Sequence, residues 1–267
     1  MTPRLRAEYI SVRYDGVLAL TDVDVQVHEG ELVGLIGPNG AGKTTFIDAI
    51  SGFVRAAGRV ELDTVDISRL PVDRRARLGL RRTWQSGELF HELTVRENLA
   101  VAAAPQPPRE LVTEAVRGRR SGNPAVEDAL ALLCLESVEN AFPDQLSQAQ
   151  RKLVGIGRAI AARPRVVCLD EPAAGLDASE TRMLGDILRQ LAASGIGLLL
   201  VDHDMGLVLT VCDNVVVLDF GRVIARALPD DVRRDHRVVE AYLGSAAREL
   251  VSATEMNGPA ASSNNDE

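Results

Sequence analysis

A glycine-rich stretch near the N-terminal end of the sequence has the spacing of a phosphate-binding loop. It reads Gly37-Pro38-Asn39-Gly40-Ala41-Gly42-Lys43-Thr44-Thr45, in the pattern G-x-x-x-x-G-K-S/T. The apolar residues 32–36 precede it and a helical pattern follows it, which are the two flanks that such a loop requires. Its glycines allow successive backbone amides to point at phosphate oxygens, and the helix N-terminus adds positive potential. The stretch therefore predicts a site for nucleotide phosphates.

Three side chains of this loop have distinct expected contacts. Lys43 would neutralise the β and γ phosphates, Thr44 would place its hydroxyl on a bridging Mg²⁺ ion, and Thr45 would reach the α phosphate. Of the 30 basic residues only Lys43 and Lys152 are lysines. A lysine at this position favours the functional interpretation, because a compact ammonium fits where a guanidinium would not. The alternative is a glycine-rich turn with a chance lysine, which the strand and helix flanks disfavour.

Two carboxylates follow a second apolar run. Residues 166–169 are apolar, and Asp170 and Glu171 come directly after them. Asp170 is predicted to hold Mg²⁺. In an extended backbone Glu171 would point to the opposite side, where it could polarise the water that attacks the γ phosphate. The alternative is a strand followed by a solvated acidic turn, and the phosphate loop in the same chain favours the catalytic interpretation.

A single histidine follows a third apolar run, residues 196–201. It is His203, between Asp202 and Asp204. Ligands of open α/β sheets lie outside the carboxyl ends of the strands, so His203 is predicted at the same edge as the phosphate loop. There its imidazole could contact the γ phosphate and help to orient the attacking water. A surface histidine without such a role is the alternative.

The pattern of the whole chain predicts an α/β fold. Short apolar runs alternate with helical stretches, as in crossover units of a mainly parallel sheet. Runs with almost no polar residue are expected where a strand is buried on both faces. The predicted central strands are residues 32–36, 166–169, 196–201 and 215–218. An N-terminal antiparallel patch is predicted from residues 7–14, 24–27 and 58–63.

The predicted domain organisation is a single unit over residues 5–245. Strand patterns stop after residue 85 and helical ones replace them, which predicts a helical subdomain, at about residues 86–160, inserted in the α/β core. Residues 252–267 are small and polar, so a disordered tail is expected there.

The composition excludes several classes of protein. The chain has 267 residues, 38 acidic and 30 basic side chains and a net charge of −8, so no nucleic-acid partner is expected. Its three cysteines have neither metal-binding nor disulfide spacing. No apolar run approaches the roughly 18 residues of a membrane span, and no secretory signal pattern is present. We therefore expect another chain to cross the bilayer in any membrane process that involves this protein.

Two further sets of residues have a structural interpretation. The run of arginines could be a lipid or nucleic-acid patch, but in an acidic protein it is more often a solvated face. Its members are Arg74, Arg75, Arg77, Arg81 and Arg82. Cys168 and Cys212 are predicted to fill core space.

In their order, these elements resemble the ATP-binding subunits of ABC transporters, and the resemblance extends over residues 6–244. The family's other motifs have counterparts here. Tyr14 matches the aromatic residue that stacks on adenine, although it could instead be an ordinary strand residue. Gln85 matches the glutamine that joins the active site, including its metal ion, to the helical subdomain. His203 matches the family's switch histidine.

The resemblance implies that ATP is held between two ATPase subunits. The signature motif, Leu146-Ser147-Gln148-Ala149-Gln150, and the loop Ala174-Gly175-Leu176-Asp177 would supply the contacts to the partner's nucleotide. Ser147 and Gln150 also have the spacing of a capping box at a helix start. Gln148 and Ala149 replace the usual two glycines. The Ala149 methyl group would then lie where the backbone approaches phosphate, and a weakened composite site stays an open alternative.

Finer matches resemble the ATPases of importers of branched-chain amino acids, urea and amides. They are Glu171 to Asp177, Asp202 to Met205, Leu218 to Gly221 and Val239 to Gly244. The resemblance implies ATP and Mg²⁺ as cofactors, and a second ATPase subunit, either a copy or a related chain. It also implies transmembrane permeases docked near residues 87–90, an extracytoplasmic solute-binding protein and a peripheral location at the cytoplasmic face of the membrane. A soluble ABC-type ATP switch and a slow-turnover regulatory subunit are the alternatives.

Overall fold

The computed structural model describes residues 2–84, 89–103 and 123–243. Within these ranges ten strands form two sheets, one of four strands and one of six. The predicted α/β fold with a phosphate-loop core and an N-terminal antiparallel patch is confirmed. Gln85, residues 87–88 of the predicted permease contact at 87–90, and the predicted C-terminal tail lie outside the described residues.

The four-stranded sheet has the order β2-β1-β4-β5, and its pairs are antiparallel. Its strands are β1 (Leu5–Tyr14), β2 (Val17–Val27), β4 (Ala57–Leu62) and β5 (Val65–Asp66). β2 begins seven residues before the predicted strand at 24–27. The alternation is interrupted at Asp22, which has a φ of 49° and whose amide donates to Ser11 Oγ. This irregularity concealed the first half of the strand in the sequence pattern.

The six-stranded sheet has the order β10-β9-β3-β8-β7-β6. Its strands are β3 (Leu32–Ile36), β6 (Leu80–Arg82), β7 (Val166–Asp170), β8 (Gly197–Val201), β9 (Asn214–Asp219) and β10 (Arg222–Ala227). All pairs are parallel except that of β10 with β9. The four predicted central strands are present. β6 was not predicted, because two of its three residues are arginines.

The helices pack around this sheet. They are α1 (Lys43–Ser51), α2 (Val72–Leu78), α3 (Val95–Ala103), α4 (Pro124–Leu132), α5 (Gln148–Ala161), α6 (Ala178–Ala193), α7 (Met205–Val211) and α8 (Pro229–Val232). Residues 236–243 are also helical. Among the described helices, none combines the length and apolar character needed to cross a bilayer.

Two apolar cores lie on opposite faces of the six-stranded sheet, and successive residues of its inner strands alternate between them. In β7, Val167 and Leu169 pack into the core that contains the residues of α3 to α6. Val166 and Cys168 pack into the core shared with the antiparallel sheet and α1. Each fully buried aliphatic side chain stabilises the fold by about 1.5–3 kcal/mol, so both faces hold the strand in place. Cys168 and Cys212 are buried, as predicted.

The arginine run is not uniformly solvated. Arg75 is 5% exposed and fixes the end of α1 by donating to the carbonyls of Ala49 and Ile50. The Arg82 side chain is only 6% exposed. The prediction of a solvated face is therefore wrong for these two residues, because their guanidinium groups find acceptors inside the protein. Arg74 is exposed, as predicted.

The three cysteines should differ sharply in reactivity. Burial raises the pKa of Cys168 to about 12 and also raises that of Cys212, whereas Cys134 is exposed. Because the thiolate is the reactive form, we expect only Cys134 to react rapidly with an aromatic disulfide reagent at pH 8. All three thiols should react in denaturant. Thiol titration by absorbance checks this, with Cys134→Ser as the control, and rapid release of a second equivalent from the native protein would contradict it.

Candidate functional site

The predicted site residues meet at one edge of the six-stranded sheet. In the parallel register Leu35 of β3 lies beside Val201 of β8, and Val201 lies beside Asp170 of β7. The segments that follow these three strands therefore leave the sheet side by side. The segment after β3 contains the phosphate loop, the segment after β8 contains His203, and the segment after β7 begins with Glu171.

The phosphate loop runs from the end of β3 to the start of α1, and two of its glycines have no substitute. Gly37 has a φ of 155°, and a Cβ there would lie 2.2 Å from the Leu218 carbonyl oxygen. Gly42 has a φ of 102° and caps α1 with no side-chain hydrogen bond. The first-turn amides of a helix have no partner within the helix, so they are available to an anion. Between these glycines Asn39 and Gly40 are exposed, whereas Pro38 and Ala41 are buried.

Lys43 is the first residue of α1 and lies folded back over the loop. Its Nζ donates to the Gly37 carbonyl at 2.7 Å and to the Pro38 carbonyl at 3.1 Å. Burial lowers the pKa of Lys43, and the nearby carboxylates of Glu171, Asp170 and Asp202 oppose this shift. The Lys43 ammonium therefore bridges two carbonyls of the loop and lies near these three carboxylates. The next two residues are more accessible, since Thr44 is exposed and Thr45 half-buried.

Asp170 ends β7, and it is held by Arg82, the last residue of β6, and by Thr83, which follows it. Its side chain is 6% exposed and accepts a hydrogen bond from Arg82 Nη2 at 2.8 Å. Its amide donates to Thr83 Oγ1 at 3.3 Å. Burial lowers the pKa of Arg82, but the hydrogen bonds to Asp48 and Asp170 outweigh it and leave this pKa raised. The arginine is thus a permanent cation beside Asp170.

Glu171 does not continue the extended strand. Its φ is 47°, in the left-handed region, and its amide donates to the Val201 carbonyl at 2.7 Å. The sequence pattern predicts that Glu171 faces away from Asp170, because side chains alternate along an extended strand. That reason is wrong, because the strand ends at Asp170. The left-handed backbone conformation of Glu171, and not strand alternation, determines the direction in which the chain leaves β7. Lys152, the second lysine, donates to the Glu171 carbonyl at 3.2 Å.

His203 lies beside Glu171. Its Nδ1 is 3.9 Å from Glu171 Oε2 and 3.6 Å from Asp202 Oδ1. The imidazole is 60% exposed, so it can reach a ligand, whereas the Glu171 side chain is 24% exposed. A carboxylate and an imidazole at this separation could both contact one water molecule between them.

Asp202 is a residue of this site to which the sequence pattern assigned no role. It is 0% exposed, and its Oδ2 accepts from the Ala173 amide at 2.9 Å. Its Oδ1 accepts from the Asp204 amide, also at 2.9 Å. The carboxylate therefore ties the segment after Glu171 to the segment that contains His203. Its position directly after a buried strand was the available signal.

The donor set suits a hard cation of the magnesium type. Asp170 offers a carboxylate and Thr44 an exposed hydroxyl, which are oxygen ligands of the kind that Mg²⁺ prefers. In the described part of the chain, no group of three or more His, Cys, Asp and Glu side chains is arranged to hold a metal. An ion held by these two oxygen groups would take its remaining ligands from water and phosphate oxygens. Gln85, the third predicted ligand, lies outside the described residues.

Tyr14 lies at the tip of the β1–β2 hairpin and is 45% exposed. The same hairpin borders the phosphate loop, because a Cβ at Gly42 would lie 2.7 Å from Leu20 Cδ2. An exposed aromatic ring on this hairpin is compatible with the predicted stacking on a base. The stacking itself stays a prediction.

The predicted signature motif begins α5. Ser147 caps the helix, since its Oγ accepts from the Gln150 amide at 3.2 Å and its amide donates to Gln150 Oε1 at 2.9 Å. The capping box is therefore confirmed. Gln148 is exposed, and its side-chain amide lies against Gly175. Asp177 is exposed and caps α6. The two segments expected to contact a partner's nucleotide thus lie next to each other.

Ala149 departs from the family's glycine, and its side chain lies away from the open end of α5. The residue is only 5% exposed, whereas Ser147 and Gln148 on either side of the helix start are exposed. Its methyl group therefore packs into the protein. This geometry argues against the idea that the methyl group obstructs an anion at the helix end.

Replacing Ala149 by Gly should accordingly give no faster ATP turnover. It should lower the stability by about 0.5–1 kcal/mol, because glycine loses more backbone freedom on folding. Phosphate release and thermal unfolding measure the two effects, and Ala159→Gly in the same helix is the matched control for stability. A gain of several-fold in turnover would show that the methyl group does obstruct the site.

Comparison with known protein families agrees with this architecture. A family model described as ABC transporter matches residues 20–174. A second model, described as branched-chain amino acid ATP-binding cassette transporter, matches residues 222–248.

Individual proteins match over almost their whole length. The chain is 37% identical over 256 residues to the high-affinity branched-chain amino acid transport ATP-binding protein BraF of Pseudomonas aeruginosa, with 91% of this chain and 99% of BraF covered. It is 36% identical over 245 residues to the lipopolysaccharide export system ATP-binding protein LptB of Escherichia coli strain K12, with 91% and 98% covered.

A solved structure matches as well. It is the ADP conformation of MJ1267, an ATP-binding cassette of an ABC transporter, with a TM-score of 0.78, 30% identity and coverage of 91% of this chain and 100% of that one. The chain therefore belongs to the ATP-binding subunits of ABC transporters, which are ATPases coupled to transport.

Proposed function

We propose that this chain is the motor subunit of an importer for branched-chain amino acids or for related small amides or urea. The match of residues 222–248 to the branched-chain amino acid cassette family carries this proposal. The similarity to BraF supports it. The cassette core alone does not specify the cargo, because LptB, which the chain resembles almost as closely, belongs to a lipopolysaccharide export system.

The proposed chemistry is the hydrolysis of ATP by an oriented water molecule. The loop amides and Lys43 bind the phosphates, and Tyr14 stacks on adenine. Glu171 accepts the proton of the water, and His203, 3.9 Å from it, contacts the γ phosphate and orients that water. A bound Mg²⁺ ion would supply further neutralisation of phosphate charge, and Thr44, Gln85 and Asp170 would hold it.

The proposed assembly places ATP between two such subunits, either two copies or two related chains. Ser147, Gln148, Gln150, Asp177 and the backbone amide of Ala149 would contact the nucleotide bound by the partner. The exposed residues 147–148 at the start of α5 support this, because Gln148 lies against Gly175, close to the exposed N-cap Asp177 of α6. Closure of the pair by ATP and reopening after hydrolysis would drive the permeases.

The remaining partners belong to the membrane. Permease subunits would dock near residues 87–90, where Phe90 is 42% exposed. A solute-binding protein would deliver the cargo from outside, and this chain would lie peripherally at the cytoplasmic face. No nucleic-acid partner is proposed.

Affinity purification from native membranes tests this function. Tagged Glu171→Gln protein is recovered from gently solubilised membranes with ATP and Mg²⁺, and the co-purifying chains are identified by mass spectrometry. We expect two multispanning permeases, with or without a second ATPase chain. Lys43→Ala is the control, since a subunit with weakened ATP binding should lose the ATP-dependent part of the recovery at an ATP concentration that saturates only the unaltered site.

Other recoveries would contradict the proposal. Purely soluble partners would indicate an ATP switch, and permeases of an export system would exclude import. If permeases are found, ATPase activity of the reconstituted complex should rise with the solute-binding protein and its cargo. A complex that is insensitive to all candidate amino acids and amides would overturn the cargo assignment.

A further inference from the structure

One buried guanidinium connects α1, β7 and the protein surface. Arg82 donates through Nη1 to Asp48 of α1 and through Nη2 to Asp170 Oδ2, the latter at 2.8 Å. The Arg82 and Asp170 side chains are each 6% exposed. A paired charge in such a position is strongly held, because breaking the pair would leave the other charge buried without compensation.

Two aromatic rings cover this guanidinium from the solvent side. Its Cζ lies 4.5 Å from the ring centroid of Trp84 and 5.8 Å from that of Phe53. The two rings meet edge to face with centroids 4.9 Å apart. Trp84 is 52% exposed and Phe53 is 48% exposed, so the rings form the outer wall. A desolvated cation over an aromatic face is attracted to it, which adds to the two ion pairs in fixing Arg82.

The residue next to Arg82 also holds the backbone of Asp170. Thr83, the residue after Arg82, accepts from the Asp170 amide. Two consecutive residues thus orient the side chain and the main chain of one carboxylate. With Oδ2 bonded to Arg82, rotation of the carboxylate about its terminal bond is restricted, and Oδ1 has a fixed direction.

We propose that Arg82 is a positioning residue that fixes the Asp170 carboxylate for the magnesium ion of the ATPase site, and that Trp84 keeps Arg82 in place. The inference rests on the proposed role of Asp170 toward the metal. In this role Arg82 acts on the metal only through its hydrogen bond to Asp170. Residues behind metal-binding groups commonly tune metal affinity in this way.

Metal binding can be measured directly with Mn²⁺ as the probe. The electron paramagnetic resonance signal of free Mn²⁺ is titrated with the full-length protein and a non-hydrolysable ATP analogue. We expect Arg82→Gln to weaken Mn²⁺ binding by about tenfold or more. Affinity for the analogue in the presence of a metal chelator, measured by calorimetry, should be unchanged. Arg82→Lys keeps the charge but loses the planar fork, so its effect should be intermediate.

A matched control separates this role from the loss of any arginine ion pair. Arg96 of α3 also bridges two carboxylates, those of Glu127 in α4 and Glu139. Arg96→Gln should leave Mn²⁺ affinity unchanged. Because Arg82→Gln could fail to fold, Trp84→Leu provides a second test that leaves both ion pairs of Arg82 in place. It should weaken Mn²⁺ binding in the same direction and by a smaller factor.

The tryptophan gives an independent readout, since it is the single tryptophan of the chain. We expect Mn²⁺ added with the ATP analogue to change the Trp84 emission in the unaltered protein and to leave it constant in Arg82→Gln. Unchanged Mn²⁺ affinity in both Arg82→Gln and Trp84→Leu would overturn the inference. Asp170→Asn separates the two failures. If it also leaves Mn²⁺ affinity unchanged, the role of Asp170 is wrong; if it alone weakens binding, only the role of Arg82 is wrong.

Discussion

Replacing Glu171 by Gln should nearly abolish ATP turnover while ATP still binds. Glutamine has the same shape but does not accept a proton from water, and loss of a general base costs about 10²–10⁴-fold in rate. The Glu171 amide bond to Val201 and the adjacent phosphate loop do not depend on the side-chain charge, so the ATP site should persist. Phosphate release by the reconstituted complex and calorimetric ATP binding measure the two quantities.

Glu136→Gln is a suitable control for the Glu171 variant, because Glu136 is an exposed residue of the short 3₁₀ turn Glu136–Val138. It should have normal turnover. Normal turnover in Glu171→Gln would reject the role of Glu171 as the base and direct attention to the buried Asp202 beside His203.

Replacing Lys43 by Ala should weaken nucleotide binding itself. The Lys43 ammonium donates to two carbonyls of the loop, and in the proposed site it would also donate to phosphate oxygens. A hydrogen bond to a charged group contributes about 1.5–3 kcal/mol, which corresponds to about 10–150-fold in affinity. Calorimetry with ATP and Mg²⁺ measures the loss, and turnover should fall with it.

The chain offers a matched control in its second lysine. Lys152 donates to the Glu171 carbonyl, and its pKa is lowered by burial as that of Lys43 is. Lys152→Ala removes the same type of side chain from the same edge of the sheet. Because Lys152 is not part of the phosphate loop, this variant should keep nucleotide affinity. Equal losses in both variants would mean that a general electrostatic effect, and not the phosphate loop, governs binding.

The features that local patterns encode were predictable from the sequence. The glycines of the loop, the buried strands β3, β7, β8 and β9, and the capping box of Ser147 each depend on residues close in the chain. They were placed within a few residues because local spacing determines them. The pattern also identified Glu171 and His203, which the structure brings within 3.9 Å of each other.

The features that the sequence did not reveal depend on distant partners. β6 becomes a strand because β7 pairs with it, although two of its three residues are arginines. Arg82 is buried because the carboxylates of Asp48 and Asp170, 34 and 88 residues away in the chain, accept hydrogen bonds from its two terminal nitrogen atoms. The left-handed Glu171 conformation is stabilised by its bond to Val201 of the neighbouring strand. Composition and periodicity contain no information on such pairings.

The apolar character of both faces of β7 has a consequence for folding. In a strand with one polar face, a one-residue slip in pairing would turn polar side chains into the core, and this cost selects the register. In β7 the slip would exchange Val167 and Leu169 with Val166 and Cys168, one apolar set for another. Hydrophobic alternation therefore does not select the alignment of this strand. The bond of Asp170 to Arg82 does, because a slip would turn Asp170 to the opposite face, and we expect misaligned folding intermediates when it is removed.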